Sequence, residues 1–513
     1  MKRLALVFCL AAAWGCSDDD TPPDYSDAPL ADAVGDLTHL DQGLPWDGFD
    51  PSCPMPGPCV LTKVGQGKHL YLVIGEVLTL TGKELDSVTA VYVGAIEAPL
   101  ISVSATRVTC RIGRRTPPGE HTVEIKASDK RRMAGMVDVR RLVAVAAVDD
   151  SKLTTFETAS HSAGPVLDLG FVPGGRPRSS YTGRYVVAAG AGKLALVDLA
   201  LEQVASVSGL SGEAASWSVD DADRTLLVAT SSGKLLQVDL SGWPTLTAKA
   251  VSGAPDAALV ALAAPGLFVG LDPDAATGEG SLWQVKTDLK SFGWVQLSGK
   301  PFLVGGGQGL TGKRVEVEDG RVAMLVRDGA TVRLALAEVD SGALKNPVAP
   351  AVAGGLEAHV VSGGTYLALS SDETKPTLPY LAAATPTSAK SVVLGGGGAS
   401  RILARRLPTM VNLALALVGP LPGSAQFKGN TLELADLAQG KRLTLTGDKP
   451  ALELADMIDA DGDPAADVVH LITTTHVHSY VVSLSGATLT VTEQHPHQLL
   501  PAGKTPGWIV VQP

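Results

Sequence analysis

A stretch of sixteen residues, Arg184 to Leu199 (RYVVAAGAGKLALVDL), returns 41 residues later as Thr225 to Leu240 (TLLVATSSGKLLQVDL) with eight identities. Each copy reads as an apolar strand, a small-residue turn and a second apolar strand. A single hairpin of this kind cannot bury both its faces. Repeated with a period in the forties, it buries them against its neighbours, which is the pattern of a β-propeller blade. The first strand recurs more weakly as Phe268-Val269, Ala323-Met324, Leu367-Ala368, Leu415-Ala416 and Val469-His470. Residues 143–513 are therefore expected to form a propeller of about seven blades. Its closure would use either the C-terminal Trp508-Ile-Val-Val511 or the segment Leu142 to Val148. The repeat alone does not choose between them.

The rest of the composition fits an all-β chain. Hydrophobic residues make up 45% of the 513 but aromatics only 4%, so the core must be built mainly from Ala, Val and Leu. The 56 Gly and 33 Pro supply many turns, which favours short strands over long helices. A net charge of −11 argues against nucleic acid, whose phosphates need a basic face.

The first 15 residues read as a targeting signal. Lys2 and Arg3 precede an apolar run, Leu4 to Trp14, too short to span a bilayer. Ala13-Trp14-Gly15-Cys16 resembles the lipobox of bacterial lipoproteins, which implies that Cys16 is lipidated and becomes the first residue; an ordinary secretory peptide is the alternative. Residues 16–62 then form an acidic, Pro-rich tether, with ten Asp between Ser17 and Asp50 and no Lys or Arg before Lys63. Such a segment cannot bury enough apolar surface to fold by itself. Cys53 and Cys59 bracket Pro-Met-Pro-Gly-Pro and are expected to pair outside the cytoplasm. Cys110, in Arg107-Val-Thr-Cys-Arg-Ile112, occupies a strand position and is expected to be a buried structural thiol.

Residues 63–142 carry short alternating strands. Gly75 to Gly82 places Leu78 and Leu80 on one face and Val77, Thr79 and Thr81 on the other. Together with Val91-Tyr-Val-Gly94, Ser104-Ala-Thr-Arg-Val108 and Pro118-Gly-Glu-His-Thr-Val123, this pattern resembles the IPT/TIG family of immunoglobulin-like domains. The resemblance implies a small β-sandwich serving as a spacer or binding module, with no catalytic residues. The charges of Lys126 to Arg132 and of Arg140-Arg141 read as a solvated edge or an interdomain contact.

Three constellations bear on chemistry. Asp459, Asp461, Asp463 and Asp467 lie at positions 1, 3, 5 and 9 of a run interrupted by Gly462, a spacing that can aim hard oxygens at Ca²⁺. The run resembles the calcium loop of FG-GAP/VCBS propeller repeats, which implies one structural Ca²⁺ in the last blade. Position 12 is His470, so an EF-hand is disfavoured. Second, Gly307, Gly309 and Gly312 fit a dinucleotide pattern, but Val315-Glu-Val-Glu318 alternates like a strand where a helix is required, so no nucleotide is expected. Third, His476-Val-His478 would place two rings on one strand face, with His495-Pro-His497 nearby in sequence. Without a completing Cys or carboxylate these read as solvent-facing histidines. No Gly-x-Ser-x-Gly elbow or His-Glu-x-x-His motif occurs.

The sequence thus points to a lipid-anchored protein of the cell envelope, in the outer membrane, with no enzymatic activity. Its propeller would bind or scaffold an envelope protein or glycan. The competing expectation is a propeller enzyme, a lyase or hydrolase of extracellular polysaccharide.

Overall fold

The computed structural model describes the chain from residue 59 onward, nearly continuously over 71–295 and 458–513 and mainly strand by strand between. Cys16, Cys53, the acidic tether up to residue 58 and the glycine loop 302–314 lie outside the described residues, as does the Cys59 side chain. Among the described residues no helix is long and apolar enough to cross a membrane.

The first folded element is a β-sandwich. One sheet orders Cys59–Lys63, Val77–Lys83, Arg107–Arg111 and Leu100–Val103; the other orders Leu72–Val73, Lys130–Arg140, Gly119–Ala127, Val88–Val93 and Ile96–Ala98. The period-2 pattern decides which side chains meet between the sheets. Leu78 and Leu80 are fully buried among Val91, Val108, Ile112, Val123 and Ile125, while Val77, Thr79 and Thr81 are half-exposed. Cys110 belongs to the same core, and burial pushes its thiol up to about 12, as a structural role requires.

The propeller follows at once. Its blades are antiparallel and there are eight of them among the described residues: the first two are joined into one eight-stranded sheet by the parallel pairing of Val207 with Leu246, the fourth has five strands and the others four. Seven run in sequence within 178–499 and correspond to the seven recurrences of the repeat. The eighth is composite. Pro506–Val511 pairs with Leu142–Ala147, which pairs with Lys152–Glu157 and then Ala163–Asp168. Both candidate closing segments are used, paired to each other. The expected count falls one short because the eighth blade is assembled from both ends of the propeller and repeats nothing as a contiguous stretch.

The repeated hairpin forms the middle of its blade. Tyr185–Gly190 pairs with Lys193–Asp198, Val186 opposite Val197 and Ala188 opposite Ala195. Ala191 and Gly192 both take positive φ, 50° and 71°, the backbone a tight two-residue hairpin needs. Both faces are apolar because both are covered. Tyr185, Val187, Leu194 and Leu196 pack on the next blade's Trp217, Leu226 and Val228. Val186, Ala188, Ala195 and Val197 pack on Leu142, Ala144 and Ala146 of the composite blade. Each fully buried aliphatic side chain contributes roughly 1.5–3 kcal/mol relative to exposure. The third blade adds one steric requirement: a Cβ on Gly270 would lie 2.0 Å from Trp283, its cross-strand partner, so the indole can lie there only over glycine.

The Asp of the shared Val-Asp-Leu ending has a local task. Asp198 Oδ1 accepts hydrogen bonds from Ala200 N (3.1 Å) and Leu201 N (3.0 Å), and Asp239 Oδ1 accepts one from Ser241 N (2.9 Å). A short carboxylate at the strand end satisfies amides of the following turn.

Candidate functional site

Among the described residues, the acidic run Asp459 to Asp463 groups three buried carboxylates. Asp459–Gly462 is a strand, with Asp459 opposite Ile472 and Asp461 opposite His470. Being two residues apart, Asp459, Asp461 and Asp463 share one face, and all three are buried. That face meets the closing strand. Ile509 N–H donates to Asp459 Oδ2 and Val511 N–H to Asp461 Oδ2, both at 3.0 Å. Each carboxylate also takes an amide of its own strand, Ala460 N at 2.9 Å and Gly462 N at 3.1 Å. The aspartates thus form a polar ladder along the edge of the closing strand, where backbone pairing ends.

The same device recurs between the second and third blades. Ser216 Oγ accepts from Val260 N (3.2 Å) and Ser218 Oγ from Leu262 N (2.9 Å). Polar side chains at i and i+2 of one first strand satisfy alternate amides on the first strand of the next.

Two arginines offset part of the charge of the three aspartates. Arg176 donates to the Ile509 carbonyl from Nε (3.1 Å) and Nη2 (2.7 Å) and lies 3.3 Å from Asp461 and 3.7 Å from Asp459. Arg141, fully buried, pairs with Asp463 at 3.3 Å and donates to the carbonyls of Gln512 (3.0 Å), Arg114 (2.8 Å) and Thr116 (3.2 Å). Of the two readings for Arg140-Arg141, the interdomain contact is the one observed. Arg140 pairs with Asp138 and Glu157 and lies over the Tyr71 ring.

Those bonds belong to a wider joint between sandwich and propeller. Gln512 Nε2 donates to Ile74 O of the sandwich (3.3 Å) and to Gly183 O of the first blade (2.7 Å), while its Oε1 accepts from Leu142 N (2.7 Å). Arg111 of the sandwich pairs with Asp223, which also accepts from Thr182 Oγ1 at 2.8 and 2.9 Å, and donates to Ala222 O at 3.2 Å. Burial lowers the Arg111 pKa to about 10, still far above neutrality, so the guanidinium stays charged. In the sequence, Arg111, Arg176, Asp223 and Gln512 carried no signal. Their partners lie 41 to 438 residues away, and no local pattern encodes such a contact.

The expected calcium loop does not fit this geometry. Ca²⁺ takes six to eight oxygens at about 2.3–2.6 Å. Here the carboxylates are turned toward backbone amides, and two guanidinium cations lie within 3.7 Å of them. Asp467 lies outside the strand Asp459–Gly462, in the bend just before Val468–Ile472. Among the described residues no group of three or more His, Cys, Asp or Glu is placed to hold a metal. The D-x-D-G-D spacing is explained instead by strand alternation, which sets three acids along one edge.

The histidines also differ from expectation. His476 and His478 do share one face of His476–Ser485, but they are half-buried. His478 Nδ1 lies 2.9 Å from Glu493 Oε1, which also accepts from Tyr480 OH at 3.0 Å. Burial and the Glu493 carboxylate push the Tyr480 phenol well above its ordinary range, so it remains a donor. His470 is buried with Nδ1 2.8 Å from Ser479 Oγ.

With this geometry in view, comparisons place the parts. The family model for the IPT/TIG domain matches residues 70–137, within the sandwich. No curated protein matches the chain in sequence. Similar solved structures include dihydro-heme d1 dehydrogenase NirN in complex with DHE, at 15% identity and TM-score 0.51, covering 72% of this chain and 74% of that one. They also include AztD from Citrobacter koseri (10% identity, TM-score 0.48, 72% and 97% coverage) and the Dos1 propeller (10%, 0.43, 64% and 85%). At such identities the likeness is one of fold. The chain is all-β, an IPT/TIG-type sandwich followed by a β-propeller.

Proposed function

We propose that this chain is a lipid-anchored, non-catalytic binding or scaffold protein of the cell envelope. In this reading Cys16 carries the lipid in the outer membrane, the acidic tether spans the gap to the sandwich, and the propeller meets an envelope protein or glycan. The observation that carries it is the buried joint. Arg141 and Gln512 tie the sandwich, the first blade and the composite blade together through buried hydrogen bonds. A joint of this kind suits a protein that presents a surface rather than one that turns over a substrate.

The test is fractionation and capture with the full chain. The protein should sediment with outer membranes and Cys16→Ala should release it; continued membrane association of that variant would contradict the anchor. Crosslinking in intact cells should trap a partner on the propeller. Turnover of any extracellular polysaccharide by the purified chain, lost on substitution of a single carboxylate, would establish the lyase or hydrolase reading in its place.

A further inference from the structure

The composite blade is covered over only part of one face. There Val143, Val145 and Phe156 pack on Ile472 and Val477 of the last blade and on Leu500. Strand alternation carries the same face on to Ala147, Thr154 and Lys152, and Val166 stands opposite Thr154 on the neighbouring strand. Where the packing ends, these residues line a cavity of about 170 Å³ together with Leu500, Lys504 and Pro506. Val166 is 55% exposed there, an apolar side chain at the edge of an apolar space.

Size and lining restrict what fits. An apolar cavity of about 150 Å³ holds a molecule the size of benzene, so this one has room for a body of about six carbons. The polar groups at the cavity add a second requirement. Thr154 is 8% exposed, and among the described residues no hydrogen bond engages its hydroxyl. The adjacent Thr155 differs, its Oγ1 donating to the Pro165 carbonyl at 2.9 Å. A nearly buried hydroxyl without a partner is costly, and a ligand that bonds it recovers that cost. Lys504 Nζ lies 3.2 Å from Asp150 Oδ2, and Lys152 pairs with Asp168. An ammonium carries three donors, so one carboxylate leaves donors for a second acceptor. The lining itself sets two cations, Lys152 and Lys504, against one anion, Asp150, and so favours an anionic group.

We infer that this cavity binds a small amphiphilic monocarboxylate. Its apolar body lies against Val145, Ala147, Val166, Leu500 and Pro506, and its carboxylate accepts from the Thr154 hydroxyl and from the spare donors of Lys152 and Lys504. The site lies beside the seam where the propeller closes, and it depends neither on the membrane anchor nor on an envelope partner. Because the ligand touches both the composite blade and the segment leading into its closing strand, occupancy stabilises closure, and the melting temperature should rise with ligand concentration.

The full chain is titrated by calorimetry with sodium hexanoate, sodium acetate and hexylamine. One hexanoate per chain is expected. Acetate lacks the apolar body and hexylamine brings the opposite charge, and each should bind at least about tenfold more weakly. Thr154→Val keeps the shape of the side chain and removes only the hydroxyl, and it should weaken hexanoate binding about tenfold. Ala147→Leu fills the cavity and should abolish binding. Melting curves verify that each variant is folded, and should Ala147→Leu fail to fold, Thr154→Val carries the test. No binding of hexanoate by the native chain, acetate or hexylamine binding as tightly, or unchanged affinity in a folded Thr154→Val chain would overturn the proposal.

Discussion

At the residue scale, the buried charges decide most. Arg141 and Asp463 are both essentially without solvent contact. Removing one member of such a pair strands the other in a low-dielectric interior, at a cost of about 3–5 kcal/mol. Arg141→Met should therefore lower unfolding stability by that amount in a urea titration. The double variant Arg141→Met/Asp463→Leu should recover a large part of the loss, because no charge is then left unpaired. Glu157 gives a pH signature. Burial alone would raise its pKa, but hydrogen bonds from Ser160 and Arg140 outweigh this and hold it below the usual carboxylate range. A lowered folded-state pKa means stability that is present above the unfolded value, about 4.3, and lost as the pH falls through the folded one. Replacing Glu157 with Gln should therefore flatten the acid limb of the stability curve below about pH 4.5. An equally steep limb in that variant would refute the assignment. Cys110, buried and with its thiol pushed up to about 12, should react with a thiol reagent only as fast as the sandwich opens.

At the scale of elements, the interfaces between blades use one solution twice. An acid or hydroxyl pair at i and i+2 satisfies alternate amides of the adjacent first strand, Asp459 and Asp461 at closure, Ser216 and Ser218 further round. Asp461→Ala would leave the Val511 amide and the Arg176 cation without this partner. It should lower stability by roughly 1–3 kcal/mol for the orphaned donor. Added CaCl₂ should leave the melting temperature of the native chain unchanged. A calcium-dependent rise, abolished by Asp461→Ala, would restore the metal reading of this run. The alternation that places these acids together was visible in the sequence. What they face was not, because the closing strand lies about 50 residues further on.

At the scale of the whole molecule, closure and domain docking converge on the last few residues. Pro506–Val511 supplies the eighth blade's first strand and Gln512 bonds to sandwich and first blade at once. Deleting 506–513 should abolish cooperative unfolding rather than merely lower its midpoint. Gln512→Ala should be milder. It should leave the propeller intact while raising hydrogen exchange in the sandwich strands near Ile74, and unchanged exchange there would show that the joint does not couple the domains.

The sequence by itself determined the class of the fold and the inward faces of strands such as Val77–Lys83. These follow from local periodicity and from repetition, which short-range sterics and burial impose on every copy. Tertiary structure alone decided the eighth blade, the destination of Asp459, Asp461 and Asp463, and the joint through Arg141 and Gln512. Each of these joins residues distant along the chain, and an ion pair or a side chain-to-amide bond leaves no period in the sequence. The same acidic spacing can serve a cation or a strand edge, and only the neighbours brought up by folding distinguish the two.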